Sequence, residues 1–219
     1  MKLQTELYLD QKRRWPTTGR HILAQFDDDT IVVYQAYRPA IGRFAAEHGF
    51  FGGDFSFQRM SWLKPNFLWM MFRSSWGTKE NQETTLAIWL RRPAFDAILQ
   101  EAVHSTFVLG LYAAENDWKA AVANSNVRLQ WDPDHNPSGG KEDRRAIQLG
   151  LRGDALARFG REWITRIEDI SEFVTAQREH ANSSAHDKLL IPREEVYPVS
   201  DLTAARLGID SWPPLTAGK

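Results

Sequence analysis

Apolar and polar positions along the chain follow two periods, one typical of strands and one typical of helices. Residues 30–37 (TIVVYQAY) are β-branched and aromatic, which predicts a buried strand. The segment from Pro39 to Gly49 has apolar residues at helical spacing, a proline at its start and a glycine at its end. The same criteria predict further strands at 84–90, 127–131 and 146–151, and helices from Pro65 to about Ser75 and from Pro93 onward.

The second half of the chain gives a different sequence of elements. Residues 154–174 carry apolar side chains at helical spacing, which predicts an amphipathic helix. Residues 132–144 are polar and too many for a tight hairpin turn, so we expect a long loop. Residues 189–199 (LLIPREEVYPV) predict a short extended piece, which we expect beside the strand at 30–37 with the Glu194 side chain facing inward. Residues 200–219 predict a tail that frays.

Strands and helices are mixed without strict alternation, and no segment repeats. This pattern favours an α+β fold over a doubly wound α/β fold. We therefore expect a single domain over residues 1–219, with a mixed, mostly antiparallel sheet and helices packed against it.

Composition narrows the class of protein. The 219 residues are 42% hydrophobic and 25% charged, with 27 basic and 28 acidic side chains, as in ordinary globular proteins. The absence of cysteine excludes disulfides, thiolate metal sites and a cysteine nucleophile. No apolar run reaches the length of a membrane span, and the first residues lack a signal-peptide pattern. We expect a cytoplasmic protein without a membrane partner.

Cations and large rings alternate in residues 55–92. This segment holds six basic residues against two acidic ones, and eight aromatic residues. Cations pair with phosphate oxygens and rings stack on bases, so the pattern is typical of a nucleotide site. Most of the rings could equally belong to the core, but Arg59, Lys64 and Arg73 need either acidic neighbours or an anionic ligand. We expect these three cations to converge on one cleft.

Four sequence strings resemble the family known as domain of unknown function 4291. They are TIVVYQAYRPAIG, FSFQRMSWLKPNFLWMMFRSSWGTK, VRLQWDPDH and RRAIQLGLRG, and together they extend over nearly the whole chain. The resemblance marks the residues that form the signature. It implies no activity, because that family has none assigned.

The first strand and helix are also similar in layout to the opening unit of ADP-ribosyltransferase-like folds. In those folds a residue on the first strand anchors NAD, and a glutamate on a late strand stabilises the transition state. The resemblance implies that Gln35 or Arg38 lies in the anchor region and that Glu194 or Glu195 takes the acidic position. Strand geometry allows at most one of Tyr34 and Gln35 to face the same cleft as Arg73.

Other chemical motifs are absent from the sequence. There is no GxxxxGK[ST] phosphate loop, no GxGxxG and no GxSxG elbow. Asp132, Asp134 and His135 could bind a divalent cation, but such a loop is more typical of a solvated turn. We expect no metal site.

Two classes of function follow. The first is an ADP-ribosyltransferase-like enzyme that binds NAD or a related nucleotide, with a nucleic acid as one candidate acceptor and Glu194 as the catalytic carboxylate. The second is a non-catalytic module that binds a nucleotide or nucleic acid with the same cations and rings. A carboxylate that faces the cleft would favour the enzyme over the binding module. The sequence does not indicate an oligomeric state. The candidate cofactor-binding residues are Tyr34, Gln35, Arg38, Arg59, Trp62, Lys64, Arg73 and Trp76.

Overall fold

Two β-sheets form the centre of the fold. The structure is a computed structural model that describes residues 1–183 and 186–213. The first sheet is antiparallel and has the strand order β10 (Ile164–Asp169), β6 (Thr84–Arg91), β4 (Thr30–Tyr37).

The second sheet is built around a long hairpin. Its order is β2 (Gly19–Arg20), β9 (Lys141–Leu151), β8 (Val127–His135), β7 (Ala102–His104), and β5 (Ser61–Leu63) also pairs with β9. The β8–β9 and β5–β9 pairs are antiparallel, whereas β2–β9 and β7–β8 are parallel.

Helices and two short strand pairs surround these sheets. The described helices are α1 (Tyr8–Lys12), α2 (Pro39–His48), α3 (Phe67–Ser74), α4 (Arg92–Glu101), α5 (Glu115–Asn124), α6 (Gly153–Arg158), α7 (Ser171–Ala181) and α8 (Asp201–Leu207), with a π-helical turn at Phe159–Trp163. The short pairs are β1 (Thr5–Leu7) with β11 (Leu190–Pro192), and β3 (Leu23–Ala24) with β12 (Glu195–Val196). None of the helices in the described ranges combines the length and hydropathy that crossing a membrane requires.

Both faces of strand β4 are covered, which explains its continuous apolar sequence. Ile31 and Val33 pack in one apolar cluster with α4 and strands β8 and β9. Val32 and Tyr34 face the opposite side and pack in a second cluster with α3 and α7. The predicted boundaries of this strand are correct, and the predicted α+β class with mostly antiparallel strands is confirmed.

The predicted helix over residues 154–174 is wrong in its middle. Residues Ile164–Asp169 form strand β10, and Ile164 and Ile167 lie opposite Leu90 and Ile88 of β6. Apolar residues three apart do not distinguish a helix from a short strand. Residues 164–169 form a strand because the backbone N–H and C=O groups along the edge of β6 need a partner strand.

The predicted long loop at 132–144 is also wrong. Strand β8 continues to His135 and β9 starts at Lys141, so a connection of only residues 136–140 joins them. Polar side chains can enter these strands because Asp134 and Arg144 form a buried ion pair, with Nε to Oδ2 at 2.5 Å.

The C-terminal segment returns to the body of the protein. The segment predicted to be extended contains strands β11 and β12, but β12 pairs with β3 and not with β4, the strand beside which we expected it. The segment predicted as a frayed tail contains helix α8, and its Leu207 is fully buried. Residues 214–219 of that predicted tail lie outside the described residues.

Candidate functional site

An open cavity of about 850 Å³ lies where the two sheets meet. The end of β4, the loop before β5, strand β5, helix α3 and the middle of the β8–β9 hairpin form its walls. We call this cavity the basic–aromatic cleft. The lining residues used below are Gln35, Tyr37, Arg38, Asp54, Arg59, Met60, Ser61, Trp62, Lys64, Arg73, Gln130 and Gln148.

Strand β4 contributes one of its two candidate side chains, as alternation requires. Gln35 lines the cleft, and its Nε2 donates to Ser61 Oγ at 2.8 Å and to the Trp62 carbonyl at 3.1 Å. Its Oε1 is buried and accepts no hydrogen bond from the described residues. Tyr34 points to the other face, where its ring packs edge-on against Phe67. Tyr34 therefore does not contribute to the cleft.

Three cations from residues 55–92 line the cleft. Arg59 comes from the loop before β5, Lys64 directly follows β5, and Arg73 lies in the last turn of α3. Among the described residues, no carboxylate forms an ion pair or hydrogen bond with any of these three side chains. The cations are thus available to an anion.

Lys64 differs from the two arginines because it is only 6% exposed. The pKa of its amine is lowered to about 7, mainly by burial and also by the positive charge of Arg73, while Asp132 acts in the opposite direction. A substantial fraction of the amine is therefore uncharged near neutral pH.

Trp62 provides a partly exposed ring on the wall of the cleft. It lies on β5 opposite Gly150 of β9. A Cβ at Gly150 would come within 2.9 Å of the Trp62 ring and 2.7 Å of Met60 Sδ. The glycine therefore lets the ring lie directly on strand β9. Trp76 has a different position, because its Nε1 donates to the Pro137 carbonyl at 3.1 Å in the second apolar cluster.

Polar groups outside the predicted set of site residues complete the lining. Gln130 and Gln148 lie opposite each other on β8 and β9, and Gln148 Nε2 donates to Gln130 Oε1 at 2.8 Å and to Asp132 Oδ2 at 2.7 Å. The hydroxyl oxygens of Tyr37 and Ser61 are 2.6 Å apart. An amide inside an apolar strand, as in AIQLG, was the available signal for Gln148.

Arg38 lies at the mouth of the cleft. Its Nη2 forms an ion pair of 2.9 Å with Asp54, and both side chains are about half exposed. Among the described residues that line the cavity, Asp54 is the one with a carboxylate.

Glu194 does not lie in the cleft. It is buried as expected, but its Oε1 accepts the backbone N–H of Phe67 at 2.6 Å and its Oε2 accepts the amide of Asn66 at 3.1 Å. Asn66 in turn accepts the backbone N–H of Trp69 at 2.7 Å, so both side chains satisfy the start of α3. Burial raises the pKa of Glu194 well above its usual value. The position of Glu194 therefore does not support its interpretation as a carboxylate that faces the cations. Its contacts stabilise the start of α3.

No group of three or more His, Asp or Glu side chains in the described ranges is arranged to hold a metal ion. Asp134, one of the three residues considered for a cation, is instead paired with Arg144.

The fold and the cleft define an α+β protein with an open basic pocket. The family described as Domain of unknown function (DUF4291) matches residues 21–197, so the chain belongs to that family. No curated protein matches the chain.

Proposed function

We propose that this protein binds a nucleotide in the basic–aromatic cleft, with NAD as the candidate ligand. The observation that carries the proposal is that Arg59, Lys64 and Arg73 line one cavity without a carboxylate partner among the described residues. Cations brought together on a protein surface repel one another, so an arrangement of this kind is stabilised by a bound anion.

The lining matches the parts of a nucleotide. Guanidinium groups bind phosphate oxygens in pairs, which suits Arg59 and Arg73. The ring of Trp62 offers a face on which a base can stack. The cavity of about 850 Å³ falls in the range of known small-molecule sites.

The hydrogen-bonding groups on the wall suit a ribose. Gln35 Oε1 has no donor among the described residues, and a buried acceptor without a donor is costly. A sugar hydroxyl can donate to it. Ser61 and the amides of Gln130 and Gln148 add further groups on the same wall. This set favours a ligand that contains a sugar as well as phosphate.

ADP-ribosyl transfer is a finer interpretation of the same ligand. Stabilising an oxocarbenium-like transition state needs a carboxylate near the ribose. Glu194 is bound to the start of α3, and Asp54 at the mouth is paired with Arg38. The contacts therefore support nucleotide binding. Turnover of NAD is a separate question, which the experiment below measures in addition to binding.

The test is a calorimetric titration of the purified protein with AMP, NAD, ADP-ribose, ATP and a short single-stranded oligonucleotide. Saturation at about 100 times Kd would also stabilise the fold by about 2.7 kcal/mol, which is visible in thermal unfolding. Release of nicotinamide from NAD is followed in the same samples.

Arg59→Gln and Arg73→Gln should each weaken nucleotide binding about tenfold or more, because each removes a charged hydrogen-bond donor. The control is Arg43→Gln, an exposed arginine on α2 that does not line the cleft. Equal affinity in all three variants, or no binding of any nucleotide, would contradict the proposal. Binding of the oligonucleotide alone would assign the cleft to nucleic acid.

A further inference from the structure

We propose that Lys64 forms an imine with the aldehyde carbon of a phosphorylated sugar held in the basic–aromatic cleft. This inference rests on the proposed binding function and adds a covalent step and a substrate class to it. The class is a sugar phosphate with a free anomeric carbon, which opens to an aldehyde.

The placement of Lys64 is the first argument. Its backbone is fixed by two hydrogen bonds to Tyr34, so the side chain projects from the junction of the two sheets. The side chain is 6% exposed, yet it lines the cavity. No hydrogen bond or ion pair joins its amine to the described part of the chain. A buried amine without a structural partner is free to react with a ligand.

The charged groups around Lys64 favour the uncharged amine. Arg73 on α3 lowers the pKa of Lys64, Asp132 on β8 raises it, and burial dominates, so the pKa is about 7. For comparison, on the order of one in a thousand exposed lysines is uncharged at neutral pH. Only the uncharged amine attacks a carbonyl carbon, and a neighbouring cation is a known means of supplying it.

The other groups on the wall match the rest of such a substrate. The guanidinium groups of Arg59 and Arg73 are unpaired in the described residues, which suits a phosphate. The hydroxyl pair of Ser61 and Tyr37 and the amide of Gln148 suit sugar hydroxyls. The phosphate and the hydroxyls would thus hold the open-chain sugar beside the amine.

The chemical step is balanced without a further reactant. The Lys64 nitrogen lone pair attacks the aldehyde carbon, and one amine hydrogen moves to the carbonyl oxygen to give a carbinolamine. The second amine hydrogen leaves with that hydroxyl as one water molecule, and a carbon–nitrogen double bond remains. Neither oxidant nor metal is consumed.

The experiment traps the imine by reduction. The protein is incubated with ADP-ribose or with ribose 5-phosphate and sodium cyanoborohydride, and the modified lysine is identified by peptide mass spectrometry. The two sugars distinguish a nucleotide from a simple sugar phosphate as the source of the aldehyde. We expect a secondary-amine adduct at Lys64, with a rate that rises with pH around the Lys64 pKa of about 7.

Matched variants and a competitor control the result. Lys64→Met keeps the buried apolar stem and removes the amine, so the adduct should be lost. Lys79→Met changes an exposed lysine in the same segment and should leave the adduct unchanged. AMP, whose anomeric carbon is blocked by its base, should suppress trapping by competition. In the wild-type protein we expect the adduct at Lys64 to exceed that at Lys79 by at least about a hundredfold.

The outcomes separate this inference from the proposed function. Binding of ADP-ribose without an adduct at Lys64 would overturn the imine and keep nucleotide binding. Absence of binding by both sugars in a protein that still binds NAD or AMP would overturn the imine alone, and absence of binding by the sugars and by every nucleotide tested would overturn both. An adduct spread evenly over exposed lysines would also overturn the imine, and this readout needs only the wild-type protein if a variant fails to fold.

Discussion

The backbones of Tyr34 and Lys64 exchange two hydrogen bonds, with N to O distances of 2.7 and 3.1 Å. This bridge joins β4 of the first sheet to the residue that follows β5 of the second. It places the Tyr34 side chain in the apolar core and the Lys64 side chain on the wall of the cleft. The candidate site is therefore a product of the contact between the sheets.

The buried amine of Lys64 should make stability depend on pH. Its pKa is about 7 in the folded protein and ordinary in the unfolded chain, so the unfolded state binds more protons between these values. Stability from this group is therefore lowest below pH 7 and rises with pH by up to about 1.4 kcal/mol per unit. Lys64→Met removes this dependence and should be more stable than the wild type at about pH 6.

The measurement is urea unfolding of both proteins at several pH values between about 6 and 9, with the difference in free energy of unfolding plotted against pH. The difference should shrink as pH rises. Lys79→Met serves as the control, because its exposed amine should give a difference that does not change with pH. A constant difference for Lys64→Met as well would show that the Lys64 amine is fully charged.

Sequence patterns correctly predicted those elements whose limits depend on residues within the element itself or next to it. The buried strand at Thr30–Tyr37 and the helix between Pro39 and Gly49 have the predicted limits, because a proline, a glycine and a β-branched run set them. Strand β10 could not be predicted, because it forms by pairing with β6. The ends of β8 and β9 nearest their connection could not be predicted either, because the buried ion pair of Asp134 with Arg144 stabilises them.

The residues of the candidate site were also predictable only where they lie close together in the sequence. Arg59, Trp62, Lys64 and Arg73 are close in sequence, and one loop, strand and helix carry them to the same cavity. Glu194 was assigned from a layout similarity, and a residue so distant along the chain depends on tertiary packing that no local pattern encodes. Its contact with the start of α3 became apparent only from the fold.

Gly150 should be required for the position of Trp62. In Gly150→Ala the new Cβ overlaps the ring, because the available distance is 2.9 Å. We expect a loss of about 1–3 kcal/mol in the free energy of unfolding. Displacement of the ring should also weaken AMP binding. Urea unfolding and titration with AMP measure the two effects.

The double variant Gly150→Ala with Trp62→Ala tests the cause. Removing the ring frees the space on that side, and the flexible Met60 side chain, whose Sδ lies 2.7 Å from the new Cβ, can move away. Gly150→Ala should therefore cost less stability in the Trp62→Ala background than in the wild type. If the two losses simply add, contact between the ring and the strand is not what requires the glycine.

Glu194 should act on stability and leave ligand affinity unchanged. Glu194→Ala leaves the Phe67 N–H and the Asn66 amide without their acceptor, at about 1–3 kcal/mol for each buried group. Glu194→Gln keeps one acceptor oxygen and should cost less. Both variants should bind AMP like the wild type, whereas a large loss of affinity in folded Glu194→Gln would return this carboxylate to the site.

The pH dependence of Glu194→Gln has a defined sign. Burial raises the pKa of Glu194 above 4.5 in the folded protein, with Asp134 raising it and Arg144 lowering it as well. The wild type therefore loses stability as pH rises above the unfolded pKa, and the glutamine variant does not. The difference in unfolding free energy should move in favour of Glu194→Gln as pH increases from about 4 to 7.

The buried pair of Asp134 and Arg144 should tolerate joint replacement better than the loss of either member. Asp134→Asn leaves the Arg144 guanidinium buried against Trp15 without its carboxylate, so we expect a loss of about 3–5 kcal/mol. Asp134→Leu with Arg144→Met removes both charges and should recover most of that stability. Urea unfolding measures both, and the exposed pair Lys119–Glu115 is the control, whose disruption should change stability by no more than about 0.5 kcal/mol. A double variant less stable than Asp134→Asn would mean that the hairpin needs this ion pair itself, beyond the neutralisation of a buried charge.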